Sequence, residues 1–450
     1  GAEATGSGVG VMSAVKAEHY AAYTDSGVEW LGEVPKHWSF VRVKEIAYIN
    51  QKSLSDETPL DYEFDYVDIG SVTYGTSGYS SERMTFENAP SRAKRIVKSG
   101  DTIISTVRTY LKAITQIDCA ENLIVSTGFA VLTPKKIIYK SYFSNWLMSE
   151  TFINRVSAIS KGVSYPATNS TEIGDLFVFL PPLLEQTSIA AYLDTKTAQI
   201  DRQIDLLSQK ATQYGKLKQS LINETVTRGL DKSVPMKDSG VEWIGEVPEN
   251  WDIRRIKEIF IESKSKSLKG NEDLLSVSEY TGVTLKQDNV GEDEFLTNAA
   301  SLIGYKLCKI GDLVINIMLA WKRGLGVSAY YGIASPSYAV YTPQKEINSS
   351  FFHYRLRNED AIAEFKRNST GIIESRLRLY SDSFYALSIA VPPLDEQTAI
   401  AAYLDEKSEK IDRIIDTINT QIYKLKDLRK ALINDVVTGK IKVGSEGQTI

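Results

Sequence analysis

The sequence predicts an α+β protein built by internal duplication. Two mixed, β-rich globules are joined by two long helices that pair as an antiparallel coiled coil, and the halves are related by an approximate two-fold axis. Three observations predict this. Asp25 to Trp38 reads DSGVEWLGEVPKHW and Asp238 to Trp251 reads DSGVEWIGEVPENW, identical at eleven of fourteen positions. Pro181 to Asp194 (PPLLEQTSIAAYLD) and Pro392 to Asp405 (PPLDEQTAIAAYLD) agree at twelve of fourteen, and the offsets of 213 and 211 residues make one unit used twice. After each of these second signatures, apolar residues recur at the three-and-four spacing of a coiled coil.

The repeat divides the chain into a leader over 1–24, a first globule over 25–184, a first helix and linker over 185–237, a second globule over 238–395, and a second helix with its tail over 396–450. Gly1 to Val11, small and glycine-rich ahead of Met12, reads as a non-native extension. Between the repeated signatures the halves share only thin markers, such as Gly100-Asp101 against Gly311-Asp312. There, short β-branched and aromatic runs predict strands at Asp101–Val107, Phe129–Thr133, Leu313–Ile317 and Tyr338–Tyr341, with helical stretches near Tyr142–Ile159 and Ser350–Lys366.

In the first helix the seam is Leu193, Ile200, Leu207, Tyr214 and Leu221, with Ile204 and Ala211 between them; in the second it is Leu404, Ile411, Ile418, Leu425 and Leu432, with Ile415 and Ile422 between. Pro182 and Pro393 mark the helix starts, Gly229 and Gly439 the exits. From Glu185 to Arg228 the helix would be a rod of ~65 Å. A globule intervenes between the two helices, so antiparallel pairing closes most easily, with one globule at each end of the rod. Lys218 and Arg429 interrupt the two stripes at the same place, which suggests a splayed end or a docking patch.

Composition excludes several classes. The 450 residues are 42% hydrophobic and 24% charged, enough for several folded domains and unlike a disordered chain. No run approaches the ~18 to 20 apolar residues that span a bilayer, so a cytoplasmic protein without a membrane partner is expected. Cys119 and Cys308, 189 positions apart, build neither a disulfide framework nor a zinc ribbon. His19, His37 and His353 are too scattered for metal-ligand spacing, and no P-loop, nucleophile elbow or His-Glu-x-x-His occurs. No catalytic and no metal-binding residue is assigned. With 52 basic against 57 acidic residues the net charge is −5, so contact with a polyanion would have to be local.

Local candidates exist. Arg83, Arg92, Lys94, Arg95 and Lys98 gather within sixteen residues and suit phosphate contacts, although such a run is also what a solvated face looks like. Arg108-Thr109-Tyr110-Leu111-Lys112 and Lys161-Gly162-Val163-Ser164-Tyr165 mix cations, hydroxyls and aromatics. In the second globule Trp321-Lys322-Arg323 occupies the place of the former, and Lys306 precedes it. Ser375 to Tyr380 (SRLRLY) alternates arginines with apolar residues, as a strand would if it held Arg376 and Arg378 on one face beside Tyr380. Paired with Glu374 and Asp382, the same arginines would be ordinary surface charges.

These motifs resemble the specificity subunit of type I restriction-modification systems. The resemblance rests on the two DSGVEW signatures, each followed by a basic-apolar strand (Arg42–Ile46, Arg254–Ile259), and on the two PPL signatures. Ala334–Tyr341 and Ser375–Tyr380 add to it, and it runs from Asp25 to about Lys442. It implies that the globules are target recognition domains, each reading one half of a bipartite, asymmetric sequence in double-stranded DNA, and that the coiled coil sets the gap. It also implies a chain that is not an enzyme by itself and holds no cofactor. Two modification subunits would bind S-adenosylmethionine and methylate adenine at N6, and restriction subunits would use ATP and Mg. Ser126-Thr127-Gly128-Phe129 stands where the second globule has Ser335-Pro336-Ser337-Tyr338, so the half-sites should differ. Two other readings stay open: a duplicated coiled-coil scaffold whose globules bind proteins, and a nuclease or methyltransferase in its own right.

Overall fold

The computed structural model describes residues 18–72, 78–118, 121–162, 165–289, 301–373 and 376–444. The proposed extension Gly1–Val11 lies outside them, as do Cys119, Ser164, Glu374 and Ser375. The chain forms two compact units, Gly1–Ser208 with Asn419–Ile450, and Gln209–Ile418, so each contains a stretch of both long helices.

The same local chemistry opens both units. In each Asp-Ser-Gly turn the aspartate Oδ1 accepts from the glycine N–H at 2.9 Å (Asp25 from Gly27, Asp238 from Gly240). The turn folds Tyr23–Asp25 onto Glu33–Pro35, and Met236–Asp238 onto Glu246–Pro248. After each signature tryptophan a strand pairs antiparallel with the one that precedes the prolines: Ser39–Arg42 with Phe177–Leu180, and Asp252–Arg255 with Ser388–Val391. The two repeated signatures are therefore neighbours in space, which is why they recur together.

Arg42–Ile46 and Arg254–Ile259 are not strands throughout. The extended backbone ends at Arg42 and Arg255, and Val43–Ile46 and Ile256–Ile259 each form a single helical turn. The Glu45 carboxylate accepts from the Arg42 N–H at 2.7 Å and caps the first of them, while Val43 and Ile46, three apart, share its buried face.

Both units contain one four-stranded sheet of the same order. In the first it runs Ala47–Ile49, Phe129–Pro134, Thr102–Ser105, Ile114–Gln116; in the second, Phe260–Glu262, Tyr338–Pro343, Leu313–Asn316, Leu325–Val327. The Gly-Asp markers start its central strands. Gly100 and Gly311 adopt φ of +91° and +89°, and Asp101 and Asp312 accept from the N–H groups of Lys98 and Lys309. The remaining strands differ: Glu82–Thr85, Glu63–Val67, Leu123–Ser126 and Ala93–Ile96 form a second four-stranded sheet in the first unit. The second unit has two separate pairs, Leu275–Ser278 with Gly282–Leu285 and Lys306–Cys308 with Gly332–Ala334. The difference in strand organisation between the halves thus lies outside the shared sheet.

Each predicted helical stretch is a pair of helices. Lys140–Leu147 is separated from Glu150–Ile159 by Ser149, whose Oγ accepts from the Phe152 N–H at 3.3 Å as an N-cap. Ser349–Leu356 is separated from Glu359–Arg367 at Asn358. Each hairpin is latched to a long helix by the same repeated asparagine: Asn434 Oδ1 accepts from Thr151 Oγ1 at 2.8 Å, and Asn223 Oδ1 from Asn358 Nδ2 at 2.7 Å.

The long helices span Leu183–Arg228 and Leu394–Val437. Their starts are anchored by buried signature glutamines. Gln186 accepts from Tyr139 N–H and donates to Pro181 O, and Gln397 accepts from Asn348 N–H and donates to Pro392 O. Their exits are glycines in the left-handed region, with φ of +73° at Gly229 and +75° at Gly439; a Cβ on Gly439 would lie 2.5 Å from Pro35 Cδ. Within the first unit Ile189 and Leu193 pack in one cluster with Leu432, Ile433 and Val436, and within the second Leu221 and Val226 pack with Ile400 and Leu404, so the helices are antiparallel. Leu193, Ile200, Leu404, Ile411 and Ile418 are buried; Ile204, Leu207, Ala211, Tyr214, Leu221, Ile415, Ile422, Leu425 and Leu432 are half-buried.

The seam cations do not splay the helices. Arg429 pairs with Asp201 at 2.9 Å in the first unit, and Lys218 with Asp412 at 2.7 Å in the second, each pair bridging the two helices. Because Arg429 is 8% exposed, an aspartate in its place sets a nearly buried carboxylate against that of Asp201. Arg429→Asp is expected to destabilise by ~2 kcal/mol, the half-exposed Asp201 softening the penalty of a buried pair. The exchange Asp201→Arg with Arg429→Asp should restore most of it. Urea unfolding of the two singles and the double measures the coupling, and a double variant no more stable than Arg429→Asp would refute it.

Candidate nucleic-acid interface

The corresponding turns of the shared sheet, between its third and fourth strands, are built alike. In the first unit Thr109–Leu111 forms a 3₁₀ turn flanked by Arg108 at φ +49° and Lys112 at φ +53°; in the second Ala320–Lys322 forms one followed by Arg323 at φ +64°. Three of the six described non-glycine residues with positive φ are therefore cations of these two turns. Such backbone costs of order 1 kcal/mol per residue and marks where position outweighs comfort.

Each turn meets a second loop. Thr168 N–H donates to Thr106 O at 2.8 Å, and Lys161 and Ala167 exchange both backbone bonds, at 2.8 and 2.9 Å. In the second unit Leu379 N–H donates to Ile317 O, and Thr370 and Arg378 exchange both bonds, all at 2.9 Å. Arg376–Tyr380 is accordingly not a strand. It closes a loop through one isolated bridge, and Arg378 Nη1 turns back onto Leu377 O at 3.0 Å while Arg376 is exposed. Strand alternation fails because Leu379 alone is needed in the core and Tyr380 is the residue preceding the helix Ser381–Ala386.

The fold thus gathers two groups of the candidate residues. In the first unit the Arg108 guanidinium lies 4.9 Å above the ring of Tyr165, which is 66% exposed; Tyr110 and Lys112 complete the turn, and Lys161 in the adjoining loop reaches Glu172 at 3.5 Å. Hydrogen bonding from Thr168, aided by Lys161, holds Glu172 below the usual carboxylate range. In the second unit Lys322 and Lys366 approach the Trp321 ring at 4.8 and 5.4 Å, Trp321 Nε1 donates to Met318 O, and Arg323 reaches Glu359 at 3.3 Å. Cations stacked on aromatics, exposed Tyr165 in one unit and half-buried Trp321 in the other, can engage phosphates and base faces together.

The other candidates lie elsewhere and already have partners. Arg83 pairs with Glu63 and Asp65, Arg92 with Asp68 and Lys94 with Asp56, while Arg95 donates to Ser53 Oγ at 3.2 Å. They sit on the second sheet of the first unit, where the Lys94 ammonium holds Asp56 below its ordinary range. Lys306 reaches Glu262 at 3.4 Å. Sequence reasoning missed Lys366, which no motif connects to Trp321, and Tyr280 and Arg357, discussed below.

A duplicated frame that presents cations and aromatics from equivalent turns, with divergent sheets beside them, defines a modular recognition protein. The family model for the type I restriction modification DNA specificity domain matches the chain twice, over residues 35–212 and 248–424. The chain belongs to this family and carries its domain in both halves. It is 25% identical to the type I restriction enzyme MjaVIII specificity subunit of Methanocaldococcus jannaschii, across 91% of this chain and 94% of that one. It is 20% identical to the StySPI specificity subunit of Salmonella potsdam, across 91% and 90%. Among solved structures, a chain described under complex assembly and conformational transition of the type I R-M system superposes with a TM-score of 0.67 at 20% identity, across 90% of this chain and 98% of that one. The HsdS subunit from Thermoanaerobacter tengcongensis superposes at 0.50 and 20%, across 91% and 98%. These structures share the fold. Among the described residues no helix is long and apolar enough to cross a membrane.

Proposed function

We propose that each unit reads one half of a bipartite, asymmetric sequence in double-stranded DNA, and that the paired helices set the interval between half-sites and dock two modification subunits. The observation that carries this reading is the separate match of the specificity domain to each half, on frames that agree where the signatures are and differ in the second sheet. In this reading the chain works in the cytoplasm and binds no cofactor. S-adenosylmethionine belongs to the modification subunits, for methylation of adenine at N6, and ATP and Mg to restriction subunits in the larger complex. This chain's own contribution is positional: the turns at Arg108–Lys112 and Trp321–Arg323, with the loops at Lys161–Tyr165 and Arg376–Tyr380, meet phosphates and base edges.

The test is to co-express the chain with cognate modification subunits, supply S-adenosylmethionine and random-sequence DNA, and map N6-methyladenine by long-read sequencing. A gapped motif with two unlike halves is the expected result. Methylation without any defined motif from a stable complex would overturn the reading.

A further inference from the structure

The second unit holds a half-buried cation with no carboxylate among its hydrogen-bond partners within the described residues. Arg357 donates through Nη1 to the carbonyls of Arg323, at 2.9 Å, and Leu325, and through Nη2 to those of Glu279 and Tyr280, at 3.0 and 2.9 Å. All four acceptors are backbone oxygens, drawn from two separate turns. Burial, with the Arg323 charge nearby, pushes its guanidinium down to about 10. Packing alone does not call for a half-buried cation at such a place. What the planar, five-donor group supplies is a fixed bridge between two loops.

One of those loops is the turn of Trp321, Lys322 and Arg323. The other joins Leu275–Ser278 to Gly282–Leu285 and carries Tyr280, which is 84% exposed. The junction between them is tight. A Cβ on Gly282 would lie 3.0 Å from His353 Cε1, one on Gly326 would lie 3.0 Å from Gly282 Cα, and Val327 N–H donates to His353 Nδ1 at 3.2 Å. The first unit's corresponding helix, Lys140–Leu147, has Ser144 in the place of His353 and is followed by Met148 in the place of Arg357, so neither side chain of the junction is present there. The bridge therefore belongs to the divergent part of the molecule, where two unlike readers must differ.

We propose that Tyr280 is a further DNA-contacting, specificity-determining residue of the second unit, and that Arg357 is a positioning residue that holds Tyr280 and the Trp321–Arg323 turn in one DNA-facing surface. The proposal rests on the reading of the units as DNA readers and adds a named element to one of them. An exposed phenol, its hydroxyl hydrogen-bonded to the neighbouring Glu279 carboxylate, on a loop bridged to the turn that carries Trp321, Lys322 and Arg323, offers a ring face to a base or sugar. Held only by its own hairpin, it would lack the fixed register that base discrimination needs.

The experiment compares wild type, Tyr280→Ala, Arg357→Met and Arg357→Lys, each complexed with cognate modification subunits, by the N6-methyladenine motif written on random DNA. Tyr280→Ala and Arg357→Met are expected to lower discrimination about tenfold or more at positions within one half of the motif, leaving the other half as in wild type. Arg357→Lys, which keeps the charge but cannot bridge four carbonyls, should behave like Arg357→Met; wild-type discrimination in Arg357→Lys would overturn the positioning role. Unchanged discrimination in Tyr280→Ala, or an equal loss in both halves, would overturn the role of Tyr280. Should Arg357→Met fail to fold by circular dichroism, Tyr280→Ala decides, because its side chain is exposed. A wild-type complex that writes no two-part motif fails before the variants are compared, and overturns the DNA reading together with this inference.

Discussion

Trp251→Ala is expected to destabilise the protein by ~4 kcal/mol, a large share of the ~5 to 15 kcal/mol that hold a folded chain together. The indole is fully buried and stands edge-on to Phe351, ring centroids 6.2 Å apart. It lies where the strand Asp252–Arg255 begins and within van der Waals reach of a Cβ built on Gly229, the exit of the first long helix. Removing it leaves a cavity lined by the junction of strand and helix, with no flexible chain to fill it. Trp251→Phe should cost far less, ~1 to 2 kcal/mol, since Trp251 Nε1 has no hydrogen-bond partner among the described residues and only ring volume is lost. The repeat-related Trp38 differs, because its Nε1 donates to Glu185 Oε1 at 3.2 Å and the same carboxylate accepts from Tyr20 at 2.5 Å. Trp38→Phe therefore loses a hydrogen bond as well. Urea midpoints of the three variants check this, and a Trp251→Ala midpoint equal to wild type would refute it.

The frame was legible because its causes are local and repeated. The Asp-Ser-Gly turns and the exit glycines need particular residues at particular dihedrals, and the seam needs apolar residues at a fixed interval; each leaves a mark in the chain. The strands at Thr102–Ser105, Phe129–Pro134, Leu313–Asn316 and Tyr338–Pro343 fall within two residues of expectation for the same reason. Breaks were not legible. Ser149 and Asn358 split helices whose apolar periodicity runs on past them: Ser149 caps the second helix through the Phe152 N–H, whereas Asn358 makes no side-chain cap and is held by Asn223 of a long helix far away in sequence. The one-turn helices after Arg42 and Arg255 read as strands because two buried residues three apart are too few to set a period.

The candidate surface was half legible for a similar reason. Arg108, Tyr110, Lys161 and Tyr165 carry their chemistry in short runs, and the fold then brings the runs together. The cluster from Arg83 to Arg95 looked equally basic, but its counter-ions Asp56, Glu63, Asp65 and Asp68 come from segments 18 to 38 residues away, so a short window overstates its charge. In the same way nothing in the sequence of Arg357 distinguishes it from any helical arginine. Its role follows from four carbonyls brought to it by two other segments.

Acidification is expected to weaken the second unit through His353. Burial, with the Arg357 charge adding to it, pushes this imidazole down to about 4 in the folded chain, against an ordinary 6.5. Between those values the unfolded chain binds the proton and the folded chain does not, so stability falls as pH falls. The contribution is complete above the unfolded value and lost progressively down to the folded one, ~3 kcal/mol in all and about 2 of it by pH 5. Buried Asp101 and Asp312, raised by desolvation, act with the opposite sign, while Asp56 and Asp175, lowered by their lysine partners, act with the same sign as His353. These carboxyls titrate around the carboxylate range and are common to wild type and variant. His353→Asn keeps an acceptor for the Val327 N–H and removes the titration, so it should be less stable than wild type at pH 7.5 because of lost packing, yet lose ~2 kcal/mol less between pH 7.5 and pH 5. Urea unfolding at the two pH values measures the difference. Equal losses in both proteins would show that the imidazole is not held neutral by its surroundings, and would remove the tight junction with Gly282 and Gly326 as the reason the unit can bury it.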